Sequence, residues 1–320
     1  MFNRYGIIPD EKNYLYVDWC VGTKCNYNCS YCCQSTKDKN QEFILTPEKI
    51  DKTLDILYSL KRGIEISLAG GETTLFPHLK YILERTTDHR MTERVTVLTN
   101  GHKPLSYFDG LLSGLNSNHL LIYWSVHPEY IGNIQKFQNK IMELSEMVNL
   151  QVAIMAKLDS PRLKKIILAV DQLSTKYNRI YSKLVFVRKG QFLDDISYYS
   201  DEEINFILNK NKEWKEYPLP PRKPQFLRQE NPPSYDHNYL LVNGYTNFRG
   251  MYCLQGSNCL WIRDDGRCSG AICPQAKISR YSIYDGINPF LLKNFTEPIR
   301  CEQKICSCKD NLLIKKVVKI

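Results

Sequence analysis

Short apolar segments alternate with amphipathic segments along roughly the first 190 residues. Six apolar segments are rich in the β-branched and aromatic residues that favour strands: residues 14–21, 64–68, 95–98, 120–126, 152–156 and 184–187. The stretches between them carry apolar residues at helical spacing. This alternation predicts parallel βαβ units with right-handed crossovers, in an open doubly wound sheet or an incomplete barrel. In either architecture the loops that follow the strands carry the chemistry.

Helix-start signals support the alternation. Thr46 is a good N-cap, and Pro47 suits the first position of the helix that follows. Ser200 with Glu203 three residues later has the form of a capping box. We therefore predict helices that begin at these two places.

The pattern changes after Gly190. Six prolines between residues 218 and 233 predict an extended, helix-free linker. From Met251 onward the chain is rich in cysteine and glycine and has little periodicity, which is typical of a small domain held together by metal. We predict a core domain, a helix with a Pro-rich linker, and a small C-terminal domain at residues 1–190, 191–250 and 251–320.

Charge and the absence of targeting signals limit the cellular compartment and the classes of binding partner that we expect. The net charge of +9 over 320 residues permits an acidic or phosphorylated partner, but no basic block is dense enough to indicate a nucleic-acid site. The N-terminal sequence lacks the basic and apolar regions of a signal peptide, and no apolar run approaches the ~20 residues of a membrane span. We expect a cytoplasmic protein with no membrane and no nucleic-acid partner.

The twelve cysteines cluster at the two ends of the chain. Five lie between Cys20 and Cys33, seven lie between Cys253 and Cys308, and the 219 residues between these groups contain none. Structural disulfides are rare in a reducing compartment, so metal binding or redox chemistry is the better interpretation.

The first group contains Cys25, Cys29 and Cys32 in the spacing C-x3-C-x2-C, directly after the first predicted strand. A ferredoxin supplies four cysteines to an iron–sulfur cubane, whereas three would leave one iron open to bind the amine and carboxylate of an amino acid. The alternatives are a zinc knuckle or buried thiols, although zinc sites usually show paired C-x2-C and His spacings. With Tyr31 before the last cysteine, the segment resembles the signature of the radical S-adenosylmethionine (SAM) superfamily, C-x3-C-x-aromatic-C.

The resemblance implies site residues in the loops after the strands. The three motif cysteines would ligate a [4Fe–4S] cluster with an open iron site, and the aromatic residue would lie against the SAM adenine. A Gly-Gly-Glu turn after the second strand resembles the motif that binds the SAM amino group, although Thr73 stands where the family usually has proline. The further candidates for SAM binding are Tyr31, Gly70, Gly71, Glu72, Asn100 of a Thr-Asn-Gly turn, Ser125 for the ribose, and Lys157 for the carboxylate.

His127 shares one face of the fourth strand with Ser125 because side chains alternate along a strand. It is a candidate for a substrate ligand or an acid–base group, with a structural histidine as the alternative.

The C-terminal cysteines resemble a SPASM or twitch auxiliary-cluster domain. Cys253 is followed by Gly256, by an Asp-Gly hairpin signal and by Cys273, although the spacing to the second cysteine departs from the family pattern. We predict one auxiliary [4Fe–4S] cluster held by Cys253, Cys273, Cys306 and Cys308, with Cys301 as the first substitute. A structural zinc ribbon is the alternative, since four thiolates suit zinc equally well.

The resemblance also implies the fold and the reaction. The expected fold is α/β, a partial (β/α)6 TIM-like barrel with a small Cys-rich C-terminal auxiliary-cluster domain. The expected enzyme cleaves SAM reductively to a 5′-deoxyadenosyl radical, which abstracts hydrogen from a peptide or protein side chain. Its electron donor would be a flavodoxin or ferredoxin. Only 24 residues precede Cys25, so we expect no leader-peptide-binding domain ahead of the barrel.

Two other functions remain open at this stage. One is radical oxidation, epimerisation or decarboxylation of a sugar, nucleotide or other small metabolite. The other is a zinc-stabilised binding protein with no enzymatic activity.

Overall fold

The protein is described from a computed structural model. It describes residues 14–32, 42–188, 196, 199–214, 237–273, 275–292, 295, 297–303, 305–306, 314 and 316–317. The predicted Pro-rich linker at 218–233, Cys33 and Cys308 lie outside these residues.

The described residues form two sheets. The strands are β1 (Tyr14–Cys20), β2 (Gly63–Ala69), β3 (Thr92–Thr99), β4 (Leu120–Val126), β5 (Asn149–Met155), β6 (Ile180–Val185), β7 (Tyr252–Cys253), β8 (Cys259–Ile262), β9 (Cys268–Ser269), β10 (Ile299–Arg300) and β11 (Lys316–Val317). The larger sheet has the order β6-β5-β4-β3-β2-β1-β8-β9, and the smaller one has the order β10-β7-β11. Strands β1 to β6 are all parallel neighbours, which confirms the α/β fold class and the partial barrel of six strands.

Helices connect successive parallel strands. They are α1 (Pro47–Ser59), α2 (Leu79–Thr86), α3 (Leu105–Leu112), α4 (Ile134–Met147) and α5 (Leu163–Ser174), with α6 (Asp201–Glu213) and α7 (His237–Val242) after β6. The Thr46 side chain accepts a hydrogen bond from the Lys49 amide, and the Ser200–Glu203 capping box is complete, so both predicted helix starts are confirmed. No helix among the described residues is long and apolar enough to cross a membrane.

The core lies between the parallel strands and these helices. Leu15, Val17 and Trp19 of β1 are fully buried, as expected for a strand covered on both faces. Strand β6 begins four residues before the predicted segment 184–187. This early part of the strand contains the buried polar residues Ser182 and Lys183. Apolar pattern alone did not mark that part of the strand.

The C-terminal segment is built onto the same sheet. Strand β8 pairs in parallel with β1, and β8 and β9 form the antiparallel hairpin predicted at Asp265-Gly266. Ile262 and Tyr284 belong to the main core, and the Trp19 Nε1–H donates to the Tyr284 hydroxyl over 3.0 Å. The domain boundary at residue 251 stays a prediction.

Candidate active site

The loop that carries the first three cysteines continues the β1–β2 ladder beyond the ends of the strands. The Gly71 amide donates to the Gly22 carbonyl over 2.9 Å, and the Glu72 amide donates to the Lys24 carbonyl over 2.8 Å. The Gly-Gly-Glu turn therefore anchors the backbone immediately before Cys25.

This anchoring requires glycine at both positions of the turn. A Cβ at Gly70 would lie 2.1 Å from the Gly22 oxygen, and one at Gly71 would lie 2.1 Å from the Lys24 oxygen. Gly70 also has φ +139°, which side chains rarely tolerate. The structure packs these glycines against the cysteine loop, and their predicted contact with SAM stays a prediction.

Glu72 joins two turns through its buried carboxylate. Oε1 accepts hydrogen bonds from the Thr74 amide (3.1 Å), the Thr74 hydroxyl (2.5 Å) and the Thr99 hydroxyl (2.6 Å). Oε2 accepts from the Asn100 amide over 2.6 Å. The side chain is only 2% exposed. Glu72, which the sequence analysis predicts to bind SAM, is therefore held at the carboxyl ends of β2 and β3 by hydrogen-bond donors of the protein itself.

Asn100 extends this network to the cysteine loop. Its Nδ2 donates to Oδ1 of Asn26 over 2.8 Å, and Asn26 lies between the first two cysteines. Its carbonyl accepts from Nε1 of Trp124 over 3.0 Å. The next residue, Gly101, has φ +70° and lies so close to the Trp124 ring that a Cβ would clash with it.

Lys140 of α4 hydrogen-bonds to the same turn, although no local sequence pattern predicts this role. Its Nζ donates to the Gly101 carbonyl over 2.6 Å and to the Lys103 carbonyl, and it lies 5.4 Å from the Trp124 ring centroid. Burial of the ammonium lowers the pKa of Lys140 to about 8. The residue could be found only from a fold that brings α4 to this turn.

His127 stands between β4 and the cysteine loop. Its Nε2 lies 3.2 Å from Oγ of Ser125, and its Nδ1 lies 2.9 Å from the Tyr31 hydroxyl and 3.4 Å from Sγ of Cys29. The His127 and Tyr31 rings are stacked with centroids 5.7 Å apart. The structure thus brings together three predicted candidates, Tyr31, Ser125 and His127, beside a motif cysteine.

A tyrosine pair fixes the middle of the loop. Tyr27 stacks on Tyr130 with ring centroids 3.8 Å apart, and the Asn28 amide donates to the Tyr130 hydroxyl over 2.9 Å. Burial, followed by the nearby Glu72 charge, raises the pKa of Tyr27 to about 12. Burial also raises the pKa of Tyr31. Both phenols are therefore neutral hydrogen-bonding groups near neutral pH.

The three motif cysteines differ in exposure along one loop. Cys29 is buried, Cys25 is half-buried and Cys32 is exposed. The Cys32 amide donates to the Cys29 carbonyl over 3.2 Å, which folds the C-x2-C part into a turn. Beside them, Nδ2 of Asn26 is buried and has no hydrogen-bond partner within the described part of the chain.

A family comparison decides what this arrangement belongs to. Residues 19–122, which include the cysteine loop and both turns, match the model described as "Radical SAM superfamily". By this match, the segment that carries the site is similar to the radical SAM superfamily.

Individual relatives match more distantly. "Probable GTP 3',8-cyclase" of Methanocaldococcus jannaschii is 30% identical over 119 residues, which is 37% of this chain and 39% of that protein. The chain therefore aligns with less than half the length of this curated relative. Streptococcus suis SuiB bound to S-adenosylmethionine has a TM-score of 0.55 and 13% identity, covering 85% of this chain and 64% of that one. "Native anSMEcpe with bound AdoMet and Cp18Cys peptide" has a TM-score of 0.52 and 14% identity, covering 85% and 78%.

Lys157, the remaining candidate for SAM binding, is paired with an acidic residue. Its Nζ lies 3.1 Å from Oε2 of Glu129, and this hydrogen bond raises the pKa of Lys157. Both residues line a cleft of about 230 Å³ that also includes Asp159 and Arg162. Oε1 of Glu129 is buried without a hydrogen-bond partner among the described residues. The cleft thus contains charges of both signs near the cysteine loop.

Four of the C-terminal cysteines lie near one another, and backbone pairing positions two of them. The Cys301 amide donates to the Met251 carbonyl and the Cys306 amide donates to the Thr246 carbonyl, both over 2.8 Å. The thiols of Cys253, Cys273, Cys301 and Cys306 are close enough to influence one another electrostatically. Cys301, predicted only as a substitute, is therefore a member of this group, whereas Cys308 lies outside the described residues.

The described surroundings of this second group are apolar but include a buried cation, Lys316. Burial raises the pKa of Cys306 to about 12, and the charge of Lys316 opposes that shift. Lys316 is 4% exposed and is the strand partner of Cys253. In the described part of the chain, no three His, Cys, Asp or Glu side chains converge tightly enough to hold a single metal ion.

Proposed function

We propose that this chain is a radical SAM enzyme that cleaves SAM reductively and abstracts a hydrogen atom from a substrate. The observation that carries the proposal is the position of the three-cysteine loop. Hydrogen bonds attach it to the Gly-Gly-Glu turn and to the Thr-Asn-Gly turn, at the carboxyl edge of the parallel sheet. Ligand sites of α/β sheets and barrels occur at this edge.

The donor set of the loop fits an iron–sulfur cluster. Cys25, Cys29 and Cys32 supply thiolates, which suit such clusters. Nδ2 of Asn26, which has no hydrogen-bond partner among the described residues, offers a buried donor beside them. We therefore assign these three cysteines as ligands of a [4Fe–4S] cluster with an open iron site. When bound, this cluster would supply one electron to SAM, which then breaks into methionine and a 5′-deoxyadenosyl radical.

The protein's own residues would bind and orient SAM. Tyr31 offers an aromatic face, Ser125 a hydroxyl, and Lys157 a cation at the carboxyl edge of the sheet. Glu72 supplies a fixed negative charge for the SAM ammonium, and Asn100 holds that carboxylate in place. The barrel would exclude water and fix the substrate, since positioning is the main contribution of a protein in cofactor chemistry.

We propose that the second group of cysteines holds an auxiliary [4Fe–4S] cluster. The shared electrostatic environment of Cys253, Cys273, Cys301 and Cys306 supports this ligand set. The buried Lys316 would balance part of the negative charge of four thiolates. Cys308 remains the alternative fourth ligand. Metal analysis tests the assignment, because about eight irons per chain indicate two clusters and stoichiometric zinc without iron indicates the zinc-stabilised binding protein.

A peptide or protein side chain is our first substrate class. The similar solved structure of anSMEcpe, which has a bound peptide, supports this choice. Oxidation, epimerisation or decarboxylation of a nucleotide, sugar or other metabolite is the second class, supported by the relative named "Probable GTP 3',8-cyclase". Mass spectrometry after incubation with a candidate peptide or a nucleotide panel distinguishes the two by which compound changes mass. We propose a flavodoxin or ferredoxin as the physiological reductant.

The reaction itself is tested by 5′-deoxyadenosine formation. The chain is reconstituted anaerobically with iron and sulfide, mixed with SAM and dithionite, and sampled by liquid chromatography. We expect 5′-deoxyadenosine from the wild type and a loss of at least about 100-fold in the triple variant C25A/C29A/C32A, because all three proposed thiolate ligands are removed. C20A is the matched control, since Cys20 is a half-buried thiol outside the motif. A reconstituted wild type that forms no 5′-deoxyadenosine would reject the proposed function.

A further inference from the structure

The His127 imidazole is fixed at both of its ring nitrogens. Ser125 lies against Nε2 at 3.2 Å, while the Tyr31 hydroxyl and the Cys29 sulfur both lie against Nδ1, at 2.9 Å and 3.4 Å. The imidazole also stacks on the Tyr31 ring, with ring centroids 5.7 Å apart. The Nδ1 edge therefore faces a proposed cluster ligand in a defined orientation.

The chemistry of a ligated cysteine selects the tautomer. A thiolate bound to iron has no proton to donate, so Cys29 can only accept a hydrogen bond. If Nδ1 carried no proton, it could accept from the Tyr31 hydroxyl, but its lone pair would also face the sulfur lone pairs of Cys29 at 3.4 Å. With the proton on Nδ1, the imidazole donates toward the sulfur and the Tyr31 oxygen. The single Ser125 hydroxyl proton has two acceptors in reach, Nε2 at 3.2 Å and the Thr99 carbonyl at 3.3 Å, and this tautomer requires that it goes to Nε2.

We infer that His127 is a positioning residue for the cluster, which donates an Nδ1–H hydrogen bond to Sγ of Cys29. The inference rests on the proposed function, since it requires Cys29 to be an iron ligand. It replaces the roles of substrate ligand and acid–base group considered for His127 from the sequence.

The hydrogen bond has a measurable consequence. Hydrogen bonds to the sulfurs of an iron–sulfur cluster help to set its reduction potential. Reduction adds negative charge to the cluster and its sulfur ligands, so a donor at Cys29 stabilises the reduced state more than the oxidised state. Loss of the donor should therefore lower the potential.

Three substitutions separate the hydrogen bond from the packing of the ring. In H127N the amide nitrogen can occupy the place of Nδ1, so the donor to Cys29 is retained. In H127Q the amide lies near the place of Nε2, so contact with Ser125 is retained but the donor to Cys29 is lost. H127L loses both. All three remove the imidazole ring that packs on Tyr31.

The readout is the potential of the cluster in the full chain, measured by redox titration with electron paramagnetic resonance. The signal that C25A/C29A/C32A lacks belongs to the N-terminal site. We expect H127N to match the wild type. In H127Q and H127L the ratio of reduced to oxidised cluster at a fixed potential should fall at least ~3-fold, which is about 30 mV at 59 mV per tenfold change. H102F is the packing control, because His102 lies edge-on to Tyr27 of the same loop.

The outcomes distinguish the inference from the proposed function. A wild type without an N-terminal cluster signal rejects both. A cluster whose potential is the same in the wild type, H127Q and H127L rejects the hydrogen bond alone. Equal shifts in all three variants also reject it, since they would assign the effect to the lost ring. If H127L fails to assemble a cluster, the potentials of H127N and H127Q are compared instead: a lower potential in H127Q supports the hydrogen bond, and equal potentials reject it.

Discussion

At the scale of single residues, Glu72 shows how one buried carboxylate organises the site. Its two oxygens collect hydrogen bonds from two different turns, contributed by Thr74, Thr99 and Asn100. Charged acceptors make stronger hydrogen bonds than neutral ones, and a buried donor left without a partner is costly. The residue proposed to bind the SAM ammonium therefore also maintains the geometry around it.

Lys140 should make the stability of the protein depend on pH above neutrality. Its folded pKa of about 8 lies below the ~10.4 of an unfolded lysine, so the unfolded chain binds more protons between these values. The contribution of Lys140 to the free energy of unfolding should therefore increase as pH rises from about 8 to about 10.5, so the protein becomes more stable. Below pH 8 the cost of burying the charged ammonium is fully present.

Urea unfolding at several pH values between 7 and 10 checks this prediction. K140M should lack the rise seen in the wild type, and the comparison uses the slope, because the variant also loses two hydrogen bonds to carbonyl groups. K136M is the control, since Lys136 is an exposed lysine on the same helix. A K140M slope equal to that of the wild type would contradict a lowered pKa for Lys140.

At the scale of elements, local sequence patterns predicted the individual strands, helices and turns but not the contacts between elements that are distant along the chain. The six parallel strands, the helix starting at Pro47 and the hairpin at Asp265-Gly266 each follow from a few adjacent residues, and the structure contains all of them. The pairing of β8 with β1 joins segments more than 200 residues apart, and no local pattern encodes it. The spacing of the motif cysteines could likewise be recognised from adjacent residues. The roles of Lys140 and of the hydrogen-bond partners of Glu72 could not, because they depend on packing between elements.

The Gly-Gly-Glu turn gives a prediction about the contact between β2 and the cysteine loop. In G71A the new Cβ would lie 2.1 Å from the Lys24 oxygen, so one backbone must move. Overpacking of this kind typically costs about 1–3 kcal/mol of unfolding free energy. Because the displaced segment leads into Cys25, iron bound at the N-terminal site should also decrease.

The matched control is G110A on α3. A Cβ at Gly110 meets nothing within 4 Å, so alanine should stabilise the helix by up to ~1 kcal/mol and leave iron content unchanged. Denaturant midpoints and iron-to-protein ratios measure both effects. Equal stability and equal iron in G71A and the wild type would show that the loop does not depend on this contact.

At the scale of the whole molecule, the C-terminal segment and the barrel share one sheet and one core. Strand β8 extends the sheet next to β1, and Ile262, Ile283 and Tyr284 are buried together with residues of the barrel. Cys253 is a short distance along the chain from β8, so the second group of cysteines is attached to the same framework. This sharing predicts that the two cysteine-bearing regions unfold together.

The buried hydrogen bond between Trp19 and Tyr284 tests that coupling. In Y284F the Trp19 indole N–H would lose its acceptor inside the core, which should cost about 1–3 kcal/mol. Y281F is the control, because Tyr281 is 48% exposed and its substitution should change stability by no more than ~0.5 kcal/mol. Unfolding is followed by tryptophan fluorescence and by hydrogen exchange of the barrel strands. Because β1 and β8 are neighbours in one sheet, Y284F should lower protection in both. Loss of protection confined to residues after 251, with the β1 amides unchanged, would show that the C-terminal segment unfolds independently of the barrel.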